Sequence, residues 1–99
     1  MNTGLSEQEL ALMRGVMRQF PQIRAALLFG SRAKGSHRPN SDIDLALVGV
    51  GDERLAEAVA EALESLPTPY RFDVKAYDAI RHPPLLEHIR RVGIILHET

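Results

Sequence analysis

The residues of this chain whose types and spacing could do chemistry lie in the stretch FGSRAKGSHRPNSDIDLAL, Phe29 to Leu47: a Gly30-Ser31 pair, ten intervening residues, then Asp42-Ile43-Asp44 within an apolar run. If that run is a strand, alternation sends Ile43, Leu45 and Leu47 to the core and turns Asp42 and Asp44 together to the opposite face, roughly 6–7 Å apart. Two like charges so close repel, and a divalent cation ligated by both converts the repulsion into binding. Asp73 falls on the polar face of a later strand and adds a third oxygen ligand if the two strands are neighbours. A carboxylate set of this kind suits Mg²⁺, which completes its coordination with water and substrate phosphates. Gly30 and Ser31 supply what a phosphate needs, close backbone approach and hydrogen-bond donors, and Arg32 and Lys34 add positive charge. A Walker A loop does not fit the same letters: Gly30 and Gly35 have the glycine spacing, but Ser36 and His37 stand where lysine and serine or threonine are required.

The elements that must position these residues follow from changes of hydrophobic period. Ser6 and Glu9 form a capping box, and Leu10, Met13, Met17 and Phe20 share one face of a helix over about Glu7 to Gln19, stopped by Pro21. Ile23 to Phe29 reads as a strand ended by Gly30, Ser31 to Gly35 as the start of a short helix, and His37 to Ser41 as a turn. The carboxylate strand spans Asp42 to Val48. Asp52 caps an amphipathic helix along Leu55, Val59, Leu63 and Leu66, ended by Pro67 and Pro69. Tyr70 to Tyr77 alternates as a third strand. Pro83 and Pro84 open a last helix with Leu85, Leu86, Ile89 and Val92 on its apolar side and Gly93 at its end, and Ile94 to His97 closes the chain as a short strand. Helix and strand patterns interleaved in this way indicate a small mixed α/β domain.

At 99 residues the chain is one domain, 1–99, too small to enclose a large acceptor, so what it acts on must lie largely outside it. The 44% apolar and 25% charged fractions are those of a soluble globular protein, and a formal net charge of -1 gives no global reason for nucleic-acid or membrane binding. There is no cysteine, which excludes disulfides and thiolate metal sites. No apolar run approaches the ~20 residues of a bilayer span, and no signal-peptide pattern opens the chain, so the expectation is a cytoplasmic protein.

Gly30-Ser31, the ten-residue spacer, Asp42-Ile43-Asp44 and Asp73 together closely resemble the nucleotidyltransferase superfamily of DNA polymerase beta, and the short chain resembles its minimal branch, whose members are commonly paired with a HEPN-domain toxin. The resemblance runs from about Leu5 onward. It implies a small mixed sheet with helices packed on one face and the nucleotide site on the other. It also implies two Mg²⁺ ions held by Asp42 and Asp44, with Asp73 completing the catalytic metal site, and ATP gripped through Gly30 and Ser31. The activity implied is transfer of AMP to a tyrosine of the partner toxin, with this chain as the antitoxin.

Plainer readings stand beside these. Asp73 could pair with Lys75, Lys34 could be a solvated surface charge, and Ser41 could serve the turn rather than a nucleotide. His37, His82, His88 and His97 lack compact ligand spacing and are assigned to the surface, and Tyr70 and Tyr77 to structure. Two other function classes remain: a non-enzymatic antitoxin that neutralises its partner by binding, and a small-molecule nucleotidyltransferase of the aminoglycoside-modifying kind, for which the chain lacks substrate-binding structure. The apolar Ile94-Ile95-Leu96 strand suggests an edge available to a partner protein, or failing that to a homodimer.

Overall fold

A computed structural model describes residues 3–99. Helix α1 spans Glu7–Arg18, strand β1 Ala25–Phe29, helix α2 Gly30–Lys34, strand β2 Ile43–Val48, helix α3 Glu53–Glu64, strand β3 Phe72–Ala76, helix α4 Pro83–Val92 and strand β4 Ile94–Glu98, with a single 3₁₀ turn at Tyr77–Ala79. The helix starts are those the sequence signals. Ser6 Oγ accepts the Glu9 N–H at 3.0 Å while Glu9 Oε1 accepts the Ser6 N–H at 2.9 Å, and Asp52 Oδ1 accepts the Arg54 N–H at 2.9 Å.

The four strands form one mixed sheet in the order β3-β2-β1-β4. β1 pairs antiparallel with both β2 and β4, the latter with an irregularity between Ala26 and Leu27. β2 and β3 run parallel, joined by the crossover through α3, as parallel neighbours require. Alternation along β2 buries Ile43, Leu45 and Leu47 completely beneath α1 and α3, where they meet Met13, Met17, Val59 and Leu63. This is the main core.

The layering differs from the one-sided packing expected. α4 lies on the carboxylate face, where Ile89 packs with Phe29 and Ala46 in a second, smaller core. The cause is in β2 itself: after Asp42 and Asp44 the same face continues with Ala46, which is fully buried, so only the start of the strand is polar there. Burying Ile89 to 1% exposure contributes about 1.5–3 kcal/mol to holding the ten-residue helix over the apolar half of the strand. β4 forms a sheet edge, and Ile95, 55% exposed, is the large hydrophobic residue that the described surface leaves open. Among the described residues no helix is long and apolar enough to cross a membrane.

Candidate active site

Strand register assembles the site. Phe29 pairs with Asp44, and Asp44 with Asp73, so the end of β1 and two carboxylates form one row across three strands. The condition placed on Asp73, that its strand be a neighbour, is met. Gly30 follows Phe29 with φ +75°, a conformation that disfavours any L side chain, and a Cβ built there would overlap the Asp44 carboxylate. The backbone at Gly30 therefore lies directly against Asp44. Ser31, half-buried, opens the first turn of α2 beside it.

The charges act on one another. Burial raises the pKa of Asp44, and the carboxylates of Asp73 and Asp42 raise it further, with Lys75 and His88 opposing. Asp73 is exposed and its Oδ1 lies 3.6 Å from Lys75 Nζ, so the ion pair weighed as an alternative is present. A pair this exposed holds Asp73 only weakly and leaves it available to a stronger cation. Asp42 sits just before β2 and is exposed. Among the described residues no three of His, Cys, Asp and Glu converge into a ready-made metal cage. The donor set still suits Mg²⁺: the oxygens are hard and anionic, and their mutual repulsion at Asp44 is relieved by a cation.

Two expected phosphate or nucleotide contacts, Arg32 and Ser41, are placed differently. Arg32 is 1% exposed, and its guanidinium does not face the carboxylates. Nε and Nη2 donate to Ser41 O at 3.3 and 3.0 Å, Nη2 to Pro39 O at 3.4 Å and Nη1 to Thr3 O at 2.9 Å, while the Tyr70 ring lies 4.9 Å beneath its Cζ. Its role as a phosphate contact is corrected, because its donors are turned to loop carbonyls. Ser41 Oγ accepts the Arg38 N–H at 2.8 Å, the turn role that was the alternative reading. Lys34 is exposed at the end of α2.

One residue beside the glycine was missed. His88, assigned to the surface, is half-buried on α4: its Nε2 accepts the Gly30 N–H at 3.3 Å, and its ring meets Phe29 edge-on at 6.1 Å. The signal was available, since His88 follows Leu85 by three residues and precedes Val92 by four, which puts it on the apolar side of α4. Next to Asp42 opens a cleft of about 580 Å³ between the 39–42 and 69–71 segments, with Asn40 and Arg71 in its walls.

Comparison with known proteins bears on this geometry. The family described as "Polymerase beta, Nucleotidyltransferase" matches residues 13–99. The probable protein adenylyltransferase MntA of Haemophilus influenzae is 29% identical over 100 aligned positions that cover 95% of this chain and 83% of the relative. A crystal structure of a toxin–antitoxin with AMP-PNP is similar at a TM-score of 0.66 and 25% identity, over 96% of this chain and 75% of that one. The MntA–HepT toxin–antitoxin structure aligns at a TM-score of 0.72 over 95% of this chain and 74% of that one, with 21% identity, a likeness of fold.

Proposed function

Because the chain belongs to the polymerase beta nucleotidyltransferase family, whose match spans residues 13–99, we propose that it transfers AMP from ATP to a hydroxyl of a partner protein, a tyrosine of a HEPN toxin, and so acts as that toxin's antitoxin. The observation that carries the reading is the row formed by Gly30, Asp44 and Asp73 across β1, β2 and β3. Support for the substrate and the partner comes from the relative named as a protein adenylyltransferase and from the similar toxin–antitoxin bound to an ATP analogue. The use of ATP carries a cytoplasmic location with it.

In the reaction the acceptor oxygen attacks the α-phosphorus of ATP, a new P–O bond forms, the bond to pyrophosphate breaks, and the hydroxyl proton passes to solvent. Asp42, Asp44 and Asp73 would hold two Mg²⁺ ions, whose chemistry there would be to acidify the acceptor hydroxyl and offset the charge of the departing pyrophosphate. The residues of the chain do the rest by position. Ser31 brings a hydroxyl to the triphosphate, while the Gly30 N–H is held by His88 Nε2, and the absence of a side chain at Gly30 lets the phosphates approach the carboxylate row. Asp73, at the more exposed end of that row, is accessible to a hydroxyl presented by a separate protein, which supports its role beside the acceptor. The exposure of Asp73 leaves the acceptor side of the row open, which fits a protein substrate better than an enclosed small molecule.

The test is label transfer. The chain is incubated with its copurified partner, Mg²⁺ and α-labelled ATP, and label is followed on the partner's gel band for wild type and Asp44→Asn. Labelling by wild type alone is expected. A partner neutralised by wild type without any label would replace this reading with the binding-only antitoxin.

A further inference from the structure

Asp42 differs from the other two carboxylates in how it is held. Asp44 and Asp73 lie within β2 and β3, where ladder hydrogen bonds fix the backbone and alternation fixes side-chain direction. Asp42 precedes β2, is exposed, and ends the eight-residue connection 35–42, which begins at the C-cap Gly35 and contains no helix or strand. On its C-terminal side the Ile43 N–H donates to Arg71 O at 2.9 Å. On its N-terminal side the Ser41 carbonyl, half of the Ser41–Asp42 peptide unit, receives both Nε and Nη2 of Arg32 at 3.3 and 3.0 Å. A planar fork on one carbonyl fixes the orientation of that peptide plane, which a lysine ammonium cannot do. The same guanidinium reaches Pro39 O and Thr3 O, and rests on Tyr70. Tyr70 in turn has its pKa raised by burial and then by its hydrogen bond to Glu9 of the α1 capping box.

A guanidinium 1% exposed, attracted by Glu9 but with no carboxylate at ion-pair distance among the described residues, carries a desolvation penalty that an apolar side chain of similar length avoids. What the apolar side chain cannot do is hold the 39–41 carbonyls. We propose that Arg32 is a positioning residue for Asp42: it anchors the N-terminal segment, the 39–41 loop and Tyr70 to one buried cation and thereby fixes the N-terminal side of Asp42, which the sheet does not hold. The inference rests on the reading of Asp42 as a ligand in AMP transfer.

The experiment compares Arg32→Met, which fills the space without charge, Arg32→Ala, which leaves a cavity, and Val59→Ala, a core truncation in α3 that lowers stability away from the site. Thermal unfolding sets a temperature at which all are folded. At that temperature kcat, the KM for ATP and the Mg²⁺ half-saturation are measured, with amide exchange of residues 38–43 followed in parallel. Both Arg32 variants should lose about tenfold to a hundredfold in kcat, the scale of an ångström-sized misplacement. Their Mg²⁺ requirement should rise severalfold, KM should move less, and the Ser41 and Ile43 amides should exchange faster. Millimolar ethylguanidinium should return part of the rate to Arg32→Ala and none to Val59→Ala, which should keep the wild-type kcat. A folded Arg32→Met with wild-type kcat and Mg²⁺ dependence overturns the proposal. Should neither Arg32 variant fold, Arg32→Lys decides, since it keeps the charge and loses the planar fork: a fall in kcat with a raised Mg²⁺ requirement supports the tether, and wild-type values refute it. If wild type transfers no AMP, the functional reading fails, while exchange still judges the tether separately.

Discussion

Substituting Gly30 by alanine tests whether the backbone there must lie against Asp44, and Gly35 provides the matching control. Both glycines have positive φ, +75° and +81°. Placing an L side chain in that region costs about 1–2 kcal/mol, and the stiffer unfolded chain offsets about 0.4–1 kcal/mol of it. Each variant should therefore lose on the order of 1 kcal/mol from the backbone alone, a fall in Tm of about 4–8 °C for a domain of this size. The two differ in what the new Cβ meets: nothing within 4 Å at Gly35, the Asp44 carboxylate at Gly30. A carboxylate at the end of a short side chain can rotate away, so the extra loss of stability at Gly30 is modest, but the rotation takes Asp44 out of the row with Asp73. Scanning calorimetry should show similar Tm decreases for the two variants. Calorimetric titration with Mg²⁺-ATP and the labelling assay should separate them, with Gly35→Ala close to wild type and Gly30→Ala losing both affinity and transfer. Wild-type transfer by folded Gly30→Ala, or an equal loss in Gly35→Ala, would refute the close approach as the reason for glycine.

Three further outcomes follow from the same geometry. Ser31→Ala should weaken ATP binding by about 1–3 kcal/mol, the range for a hydrogen bond to a charged group, and wild type should bind ATP more tightly with Mg²⁺ than with EDTA, both measured by titration calorimetry. Asp73→Asn should cut AMP transfer by orders of magnitude with little change in nucleotide affinity, whereas Asp44→Asn should damage both; wild-type labelling by Asp73→Asn would remove it from the reacting centre. Asp44→Asn should also stabilise the ligand-free protein near pH 7. The folded-state pKa of Asp44 is raised, first by burial and then by Asp73 and Asp42, so its favourable contribution is fully present below its unfolded pKa and is lost as pH rises through the folded value. The Tm advantage of the Asn variant should accordingly grow as pH increases from about 4, the unperturbed carboxylate range, and a constant advantage across pH would contradict this origin.

Local chemistry was legible and long-range closure was not. The capping box at Ser6, the Asp52 cap and the alternation along β2 depend on residues a few positions apart, and each is present as read. Strand limits were overextended for a physical reason. Ile23 is fully buried but lies outside the ladder, whose β1–β2 register begins at Ala25, and Tyr70 packs against the core before the β2–β3 register begins at Phe72. Apolarity reports burial, and burial extends past the last paired residue. Arg32 was misplaced because a cation two residues after a glycine turn suggests a phosphate, whereas its partners come from loop carbonyls seven and nine residues on and from Thr3, 29 residues back. Backbone carbonyls have no letter in the sequence.

The same distinction explains why the carboxylate face is half covered. A strand that displayed only charge on one face would need water along its whole length, and α4 would have no apolar surface to pack on. β2 solves this by changing character at its middle: Asp44 remains half-buried at the mouth of the site, and Ala46, two residues on, is fully buried with Phe29 and Ile89. α4 therefore ends up close enough for His88 to accept the Gly30 N–H, and the helix that completes the second core also borders the glycine end of the carboxylate row. Burial by that packing heads the causes that raise the pKa of Asp44, ahead of its two neighbouring aspartates. The packing that makes the sheet stable on this face thus leaves Asp44 poorly solvated, and a carboxylate poorly solvated among like charges gains most from a cation.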